Sequence, residues 1–145
     1  MADDQMNVGL LMAIAHRSME TRVYAELAAA GHADITVAQG KLAAQIAADG
    51  SRLTELAERA QVTKQTASFL VDQLEKAGYV ERIPDPSDGR ARLVRLSARG
   101  REMADVANGV AARVESEWAA HLGVRRMRQL RDSLERLREI TDPYA

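Results

Sequence analysis

Hydrophobic residues recur every three or four positions along most of the chain, the period of one face of an α-helix. The first such stripe predicts a helix that stops near Gly31; its members are Met12, His16, Met19, Val23, Leu27 and Ala30. Thr36 and Gln39 have the spacing of a capping box, which predicts that a second helix begins there. We expect this helix to run to about Asp49 and to be ended by Gly50.

The next two helices are short and follow each other closely. Ser51 is placed to cap the first of them, whose apolar stripe consists of Leu53, Leu56, Ala57 and Ala60. After a turn around Gln61 and Val62, Thr63 is placed to cap the second, and Gly78 closes it in a left-handed conformation. Its predicted buried face consists of Ala67, Leu70, Val71 and Leu74. Two short helices joined in this way predict a helix-turn-helix.

The exposed face of the second of these helices is polar. It is led by Lys64, Gln65, Thr66 and Ser68. Side chains that form hydrogen bonds, placed at the N-terminal end of such a helix, are typical of a recognition helix for the DNA major groove.

A β-hairpin is predicted next. Two apolar runs, YVERI and ARLVRL, flank the segment PDPSDGR, in which Pro84 and Pro86 forbid a helix and Asp88-Gly89 is a strong reverse-turn signal. A hairpin that follows a recognition helix can serve as a wing, whose arginines reach phosphates or the adjacent minor groove.

The last third of the chain returns to helical spacing. A long helix is predicted after Ser97, and its apolar positions are Met103, Val106, Val110, Val114 and Trp118. Gly123 separates it from a final helix with a narrow seam of Met127, Leu130, Leu134 and Leu137. Such a seam is typical of a helix that packs against another helix.

Composition supports a mainly helical globular protein and excludes several kinds of site. The chain has 145 residues, a 46% hydrophobic share and only 3% aromatic residues, which fits one domain with an aliphatic core. It has no Cys, so disulfides, thiolate metal sites and cysteine redox switches are excluded. The apolar run near the N-terminus is broken by His16 and Arg17, so we expect a soluble cytoplasmic protein that does not bind membranes.

The charge is concentrated in one region. The net charge is −1, yet the segment from Arg82 to Arg101 holds six arginines against Asp85 and Asp88. A site for a polyanion is therefore expected in this segment. There is no glycine-rich phosphate loop, His-Glu-x-x-His motif or nucleophile elbow, so neither an enzyme nor a cofactor is predicted.

These segments resemble a known family. VTKQTASFLVDQLEKAGYVERI and DPSDGRARLVRLSARG are similar to the multiple-antibiotic-resistance regulator (MarR) family of bacterial transcription factors. That family's wing has the pattern Asp-x-x-Asp-x-Arg, an apolar strand, Leu-Thr/Ser and a Gly. DITVAQ is similar to the family's Leu-Thr-x-x-Gln, with Ile35 in place of Leu, so the resemblance covers the whole chain, 1–145.

The resemblance implies a mainly α fold with a small β-hairpin wing. A winged helix-turn-helix lobe would span 35–98, and helices in 5–31 and 99–141 would form a dimerisation domain. The family's function would be that of a homodimeric, ligand-responsive repressor of transcription. It would bind a pseudo-palindromic operator in double-stranded DNA with helix 63–77 in the major groove and wing 84–91 at the minor groove.

The resemblance also implies roles for individual residues. Asp88 would brace the wing and Arg90 would contact DNA, while Ser51 would lie at a helix start that contacts phosphate. The recognition helix would carry Thr63, Lys64, Gln65, Thr66 and Ser68. Phe69 departs from the family, since many relatives have Arg or another polar residue there. Two interpretations stay open for it: contact with a thymine methyl group, or packing against the preceding helix.

His16 has three interpretations. With Glu20 one turn later it could begin a zinc site, but no further ligands complete a recognisable set, so no metal is predicted. The resemblance implies a pocket for small aromatic or phenolic anions between the dimerisation helices and the DNA-binding lobe, which His16 and Met19 would line. The third interpretation is a hydrogen-bonded histidine in an ordinary core.

An alternative function is a winged helix that binds only another protein. That class would present apolar anchors on the exposed helix face, where this chain has mainly groups that form hydrogen bonds. The sequence therefore favours DNA as the partner.

Overall fold

The computed structural model describes residues 5–144. In that range it contains a β-hairpin and six α-helices, which confirms the mainly α fold class. The helices are α1 (Val8–Leu27), α2 (Val37–Ala43), α3 (Leu53–Ala60), α4 (Lys64–Lys76), α5 (Ala98–Leu122) and α6 (Val124–Thr141). The strands are β1 (Val80–Asp85) and β2 (Asp88–Leu96), paired antiparallel between α4 and α5. None of the helices in the described range is both long and apolar enough to cross a membrane.

The chain divides into two compact units. One unit runs from Leu27 to Val106, and the other combines the chain up to Glu26 with the chain from Ala107 onward. A π-helical turn, Ala28–His32, follows α1, and Gly31 within it has a φ of 97°. The first helix thus ends where its apolar stripe predicted.

The unit from Leu27 to Val106 has a core of aliphatic side chains and one tyrosine. Its most deeply buried members are Leu42, Leu56, Ala67, Val71, Leu74 and Tyr79, each 0% exposed. The buried residues of α4 are the four that the sequence predicted: Ala67, Leu70, Val71 and Leu74. Burying such side chains is the main favourable contribution to folding.

Helix α2 is shorter than predicted. The capping box is present, since Thr36 Oγ1 accepts from the Gln39 N–H and Gln39 Oε1 accepts from the Thr36 N–H. The prediction that the helix continues to Asp49 is wrong, because the helix ends at Ala43 and turns follow it. Gly50 closes the last of these turns at a φ of 100°, and a Cβ there would lie 3.0 Å from Leu93 Cβ in β2.

The hairpin turns two residues earlier than predicted. Asp85 pairs with Asp88, so Pro86 and Ser87 form the turn and the prediction of a turn at Asp88-Gly89 is wrong. The reason is an Asx turn: the Asp85 carboxylate accepts from the Ser87 N–H at 2.9 Å and from its hydroxyl at 2.8 Å. The register of the two strands shifts between Pro84 and Asp85, which is a β-bulge or a similar irregularity.

The second unit contains most of α5 and all of α6. Val110 and Val114 of α5 are buried, whereas none of the residues of α6 is buried. Gly123, with a φ of 89°, separates the two helices as predicted. Arg131 of α6 pairs with Glu115 of α5 at 2.8 Å, and Arg22 and Arg113 form further ion pairs between α1 and α5. The predicted seam of α6 is thus only partly covered within the chain.

Candidate nucleic-acid interface

The N-terminal end of α4 presents a polar surface. Thr63 caps the helix as predicted, because its Oγ1 accepts from the Thr66 N–H at 3.0 Å. Lys64, Gln65 and Thr66 are exposed, and Ser68 is half-buried. The positive end of the helix dipole and these donors lie together, an arrangement that favours an anionic partner.

A tight turn sets the direction of α4 relative to α3. Gln61 adopts a left-handed conformation, with a φ of 55° and a ψ of 45°, and ends α3. The Val62 N–H then donates to the Ala57 carbonyl at 3.0 Å. Only Gln61, Val62 and Thr63 separate the two helices, so the polar start of α4 is held close to the end of α3.

A buried carboxylate braces the tip of the hairpin. Asp85 is only 6% exposed, and its Oδ2 accepts from Arg52 Nε at 3.0 Å and from Arg52 Nη2 at 2.8 Å. Its other oxygen accepts the two bonds from Ser87. These bonds from Ser87 and then from Arg52 lower the pKa of Asp85 to about 2. Asp85 was not singled out from the sequence for this brace, although an Asp two residues before a Ser is a local signal for an Asx turn.

Ser51 is buried beside β2 rather than exposed at the surface. The prediction that it caps α3 is wrong: Arg52 holds the cap position without a side-chain bond, and Ser51 Oγ accepts from the Ala47 N–H. The backbone of Ser51 pairs with Val94 of β2 through two hydrogen bonds of 2.9 and 2.8 Å. Its 4% exposure removes the side chain from the accessible surface.

An arginine of β1 connects the hairpin to α4. Arg82 donates to Asp72 Oδ1 at 2.7 Å and to Glu75 Oε1 at 2.6 Å. Both carboxylates lie on α4, so the ion pairs fix β1 against this helix. The ion pairs also neutralise the negative charges of Asp72 and Glu75 on the helix whose N-terminal end is polar.

The arginine cluster divides into paired and unpaired members. Arg82, Arg95 and Arg99 form ion pairs with carboxylates. Arg90, Arg92 and Arg101 are exposed and form no ion pair within residues 5–144, and Arg101 donates to the Leu96 carbonyl. Asp88 is exposed as well, and its Oδ1 accepts from the Arg90 backbone N–H at 3.1 Å. Positive charge is therefore uncompensated at Arg90 and Arg92 on the hairpin.

Tyr79 is the centre of a second cluster, which sequence reasoning missed. The tyrosine hydroxyl donates to Asp34 Oδ1 at 2.7 Å and lies 3.0 Å from His32 Nδ1, while the Arg99 guanidinium lies over the ring at 4.2 Å. Burial and the bond to Asp34 raise the pKa of Tyr79 to about 12. The cluster joins the turn after α1, the end of α4 and the start of α5. No spacing in the sequence signals it, because its members come from three distant segments.

Two of the remaining candidate residues are exposed. Phe69 is 61% exposed, so the preceding helix leaves most of its ring uncovered, although Leu53 of α3 borders the same depression. The His16 side chain is 68% exposed, with Nε2 3.3 Å from Glu20 Oε2, so its interpretation as a core residue is wrong. Met19 on the same helix is half-buried. Among residues 5–144, there is no group of three or more His, Cys, Asp or Glu that could hold a metal ion.

The depressed pKa of Asp85 predicts a specific acid sensitivity. A carboxyl whose pKa is lower in the folded state stabilises the fold above its ordinary pKa of 3.8 and loses that effect as the pH falls toward 2. The free energy of unfolding, measured with urea, should therefore fall more steeply between pH 5 and pH 2 for the wild type than for Asp85→Asn. Ser87→Ala, which removes only one donor, should give an intermediate slope. Equal slopes for all three proteins would contradict this role.

The comparisons with known proteins agree with the fold. A sequence model of the MarR family matches residues 33–91. The HTH-type transcriptional repressor Rv2887 of Mycobacterium tuberculosis is 35% identical over 88 residues, which is 61% of this chain and 63% of that repressor. The chain therefore matches less than two thirds of the repressor's length.

Two solved structures extend the likeness to nearly the whole chain. The Mycobacterium tuberculosis MarR family protein Rv2887, in complex with salicylic acid, has a TM-score of 0.66 and 29% identity. The alignment covers 92% of this chain and 98% of that one. The reduced form of MarR from E. coli has a TM-score of 0.73 and 23% identity over 93% of this chain and 98% of that one, a likeness of fold alone.

Proposed function

We propose that this chain is a regulator of transcription of the MarR family that binds double-stranded DNA, since a model of that family matches residues 33–91. The observation that supports the proposal is that two surfaces suited to DNA occur in the unit from Leu27 to Val106. Exposed donors lie at the start of α4, and two arginines without carboxylate partners among the described residues lie on the hairpin beside it. In the bound state, α4 lies in the major groove and the hairpin lies at the adjacent minor groove.

The residues of α4 divide into two roles. Gln65 can present its amide to an adenine edge, which would read sequence, whereas Lys64 would contact phosphate and add affinity for any DNA. Thr63, Thr66 and Ser68 supply hydroxyl groups at the N-terminal end of the same helix. Ser51 is left out of the interface, since its side chain is buried and bonded to Ala47.

The proposal includes a homodimer on a pseudo-palindromic operator. Large apolar side chains on α6 are exposed although they follow a single stripe: Leu130 37%, Leu134 42% and Leu137 40%. The first turns of α1 in the same unit also expose apolar residues; these are Val8, Leu10, Leu11, Met12 and Ile14. Apolar surface of this extent marks a contact with another subunit. Two α4 helices about 34 Å apart would then enter successive major grooves.

We further propose that the protein is a cytoplasmic repressor that responds to a small aromatic or phenolic acid. The support comes from Rv2887, whose name is that of a repressor and whose structure was solved with salicylic acid. His16 and Met19 of α1 are the proposed lining residues, and a protonated His16 could pair with an anionic ligand. Operator DNA should weaken the binding of such a ligand by the same factor as the ligand weakens DNA binding.

The arginines of the hairpin provide the test of DNA binding. Arg90→Ala should weaken binding to the selected operator by about 1–3 kcal/mol, because it removes a charged donor from the groove. An operator is first selected from random duplex sequences. Its affinity is then measured by fluorescence anisotropy with labelled DNA over a series of salt concentrations. Affinity for DNA should fall steeply with salt, as phosphate contacts require.

Arg95→Ala is the matched control. Arg95 lies on the same strand, but its guanidinium is held by Glu81 at 2.6 Å, so its loss should change operator affinity much less. Equal effects of the two substitutions would show that general charge, rather than the position of Arg90, determines binding. Salt-independent binding, or no binding to any duplex, would refute the proposed function.

A further inference from the structure

Phe69 is the only phenylalanine of the chain, and it lies on the polar face of α4. Its side chain is 61% exposed, although phenylalanine is a residue type that proteins mostly bury. Helical spacing puts it on the same face as Gln65, Ser68 and Asp72, and these residues border one shallow depression together with Leu53 and Lys64. A large apolar ring thus lies among the groups that face DNA in the proposed function.

The surroundings of Phe69 are suited to DNA rather than to a protein surface. Lys64, Gln65 and Ser68 are donors, and Leu53 is the one other apolar residue that borders the depression, whereas an apolar protein partner would be met by a larger set of apolar anchors. The one carboxylate on this face, that of Asp72, is paired with Arg82 at 2.7 Å and so repels phosphate less. An apolar ring bordered by donors fits a partner that is anionic overall and has an isolated apolar group.

The major groove offers one such group, the C5-methyl group of thymine. We propose that Phe69 contacts the methyl group of one thymine in each half-site and that this contact determines base preference at that position. The proposal rests on the proposed function, since it assigns a role within the same DNA interface. It explains why a phenylalanine on the exposed face of α4 remains uncovered in the chain itself.

The experiment removes the methyl group without changing the hydrogen-bonding edge of the base. Each thymine of the selected operator is replaced in turn by deoxyuridine, at equivalent positions of both half-sites, and affinity is measured by anisotropy. Wild type should lose about fourfold in affinity per half-site at one position, the factor for the transfer of one methyl group from water. Substitution in both half-sites should give a loss of about fifteenfold if the two contacts are independent.

The variants then assign the effect to Phe69. Phe69→Ala should bind thymine and deoxyuridine operators equally at that position, and Phe69→Leu should retain part of the difference. Ser68→Ala, on the same face, is the matched control and should show the full difference. Because Phe69 is exposed, its variants should unfold at the wild-type temperature, which circular dichroism checks.

The possible results separate this proposal from the proposed function. If wild type is indifferent to deoxyuridine at every thymine, or if Phe69→Ala keeps the full sensitivity, the methyl contact is refuted while selective DNA binding stands. If the protein selects no sequence, the proposed function is refuted and the methyl contact with it. A loss at one thymine that disappears only in the Phe69 variants supports the proposal.

Discussion

Replacing Gly100 with alanine is expected to destabilise the protein by about 3 kcal/mol or more. A Cβ at this position would lie 2.1 Å from the Tyr79 carbonyl oxygen and 3.1 Å from Leu96 Cδ2. The carbonyl cannot move away freely, because it already accepts from the Ser97 N–H at 2.9 Å. The start of α5 would therefore be pushed away from Tyr79, which follows the end of α4. Urea unfolding followed by circular dichroism measures the loss.

Gly109 in the same helix is the matched control for Gly100. Among residues 5–144, a Cβ at Gly109 would have no atom within 4 Å apart from its chain neighbours and the backbone of its own helix, so Gly109→Ala should stabilise the protein by about 0.5–1 kcal/mol through its higher helix propensity. Opposite signs for the two substitutions are the expected result. Similar stabilities would show that the backbone near Tyr79 yields easily and that the close approach carries no constraint.

Leu134→Lys should abolish dimerisation and operator binding together. Leu134 borders an open groove of about 500 Å³ with Met12, Trp118 and Leu130, so the new charge would be placed among apolar side chains at the proposed subunit contact. Such a charge costs about 3–5 kcal/mol. Sedimentation velocity should show a monomer or unfolded chains, and DNA affinity should fall because one subunit engages only one half-site.

Gln129→Lys places the same charge on α6 away from the leucine stripe. Gln129 is exposed, so this variant should stay dimeric and bind the operator normally. A Leu134→Lys protein that also stays dimeric would show that the exposed leucines are not the subunit contact. Dissociation of both variants would instead attribute the effect to net positive charge on α6.

Local signals in the sequence predicted local structure well. Thr36 with Gln39 and Thr63 with Thr66 form their predicted caps, because both partners lie within one turn of the same helix. The buried side of α4 was also predictable, since its apolar spacing is uninterrupted. The break at Gly123 between α5 and α6 was predictable as well, because the positive φ of this residue depends only on its own lack of a Cβ.

The errors arose where partners are distant in sequence. Ser51 has the residue type of a helix cap, but its pairing with Val94 in β2 determines its position. Helix α2 stops early because the chain must reach that strand through the turn at Gly50. The brace between Arg52 and Asp85 likewise joins two elements that no sequence period connects. Such contacts form only when the whole unit folds, so residue type alone does not reveal them.

The construction of the hairpin has a consequence for solubility. An exposed strand edge is a template for pairing with another chain, and the two hairpins of the proposed dimer would offer two such edges. Here the outer side of β2 is occupied at Val94 by Ser51, while β1 contains Pro84, which has no N–H to donate, and an irregular register beside it. Arg90 and Arg92 add mutual repulsion between copies. The hairpin can therefore stay exposed, as the proposed contact with a DNA groove requires, without promoting aggregation through its edges.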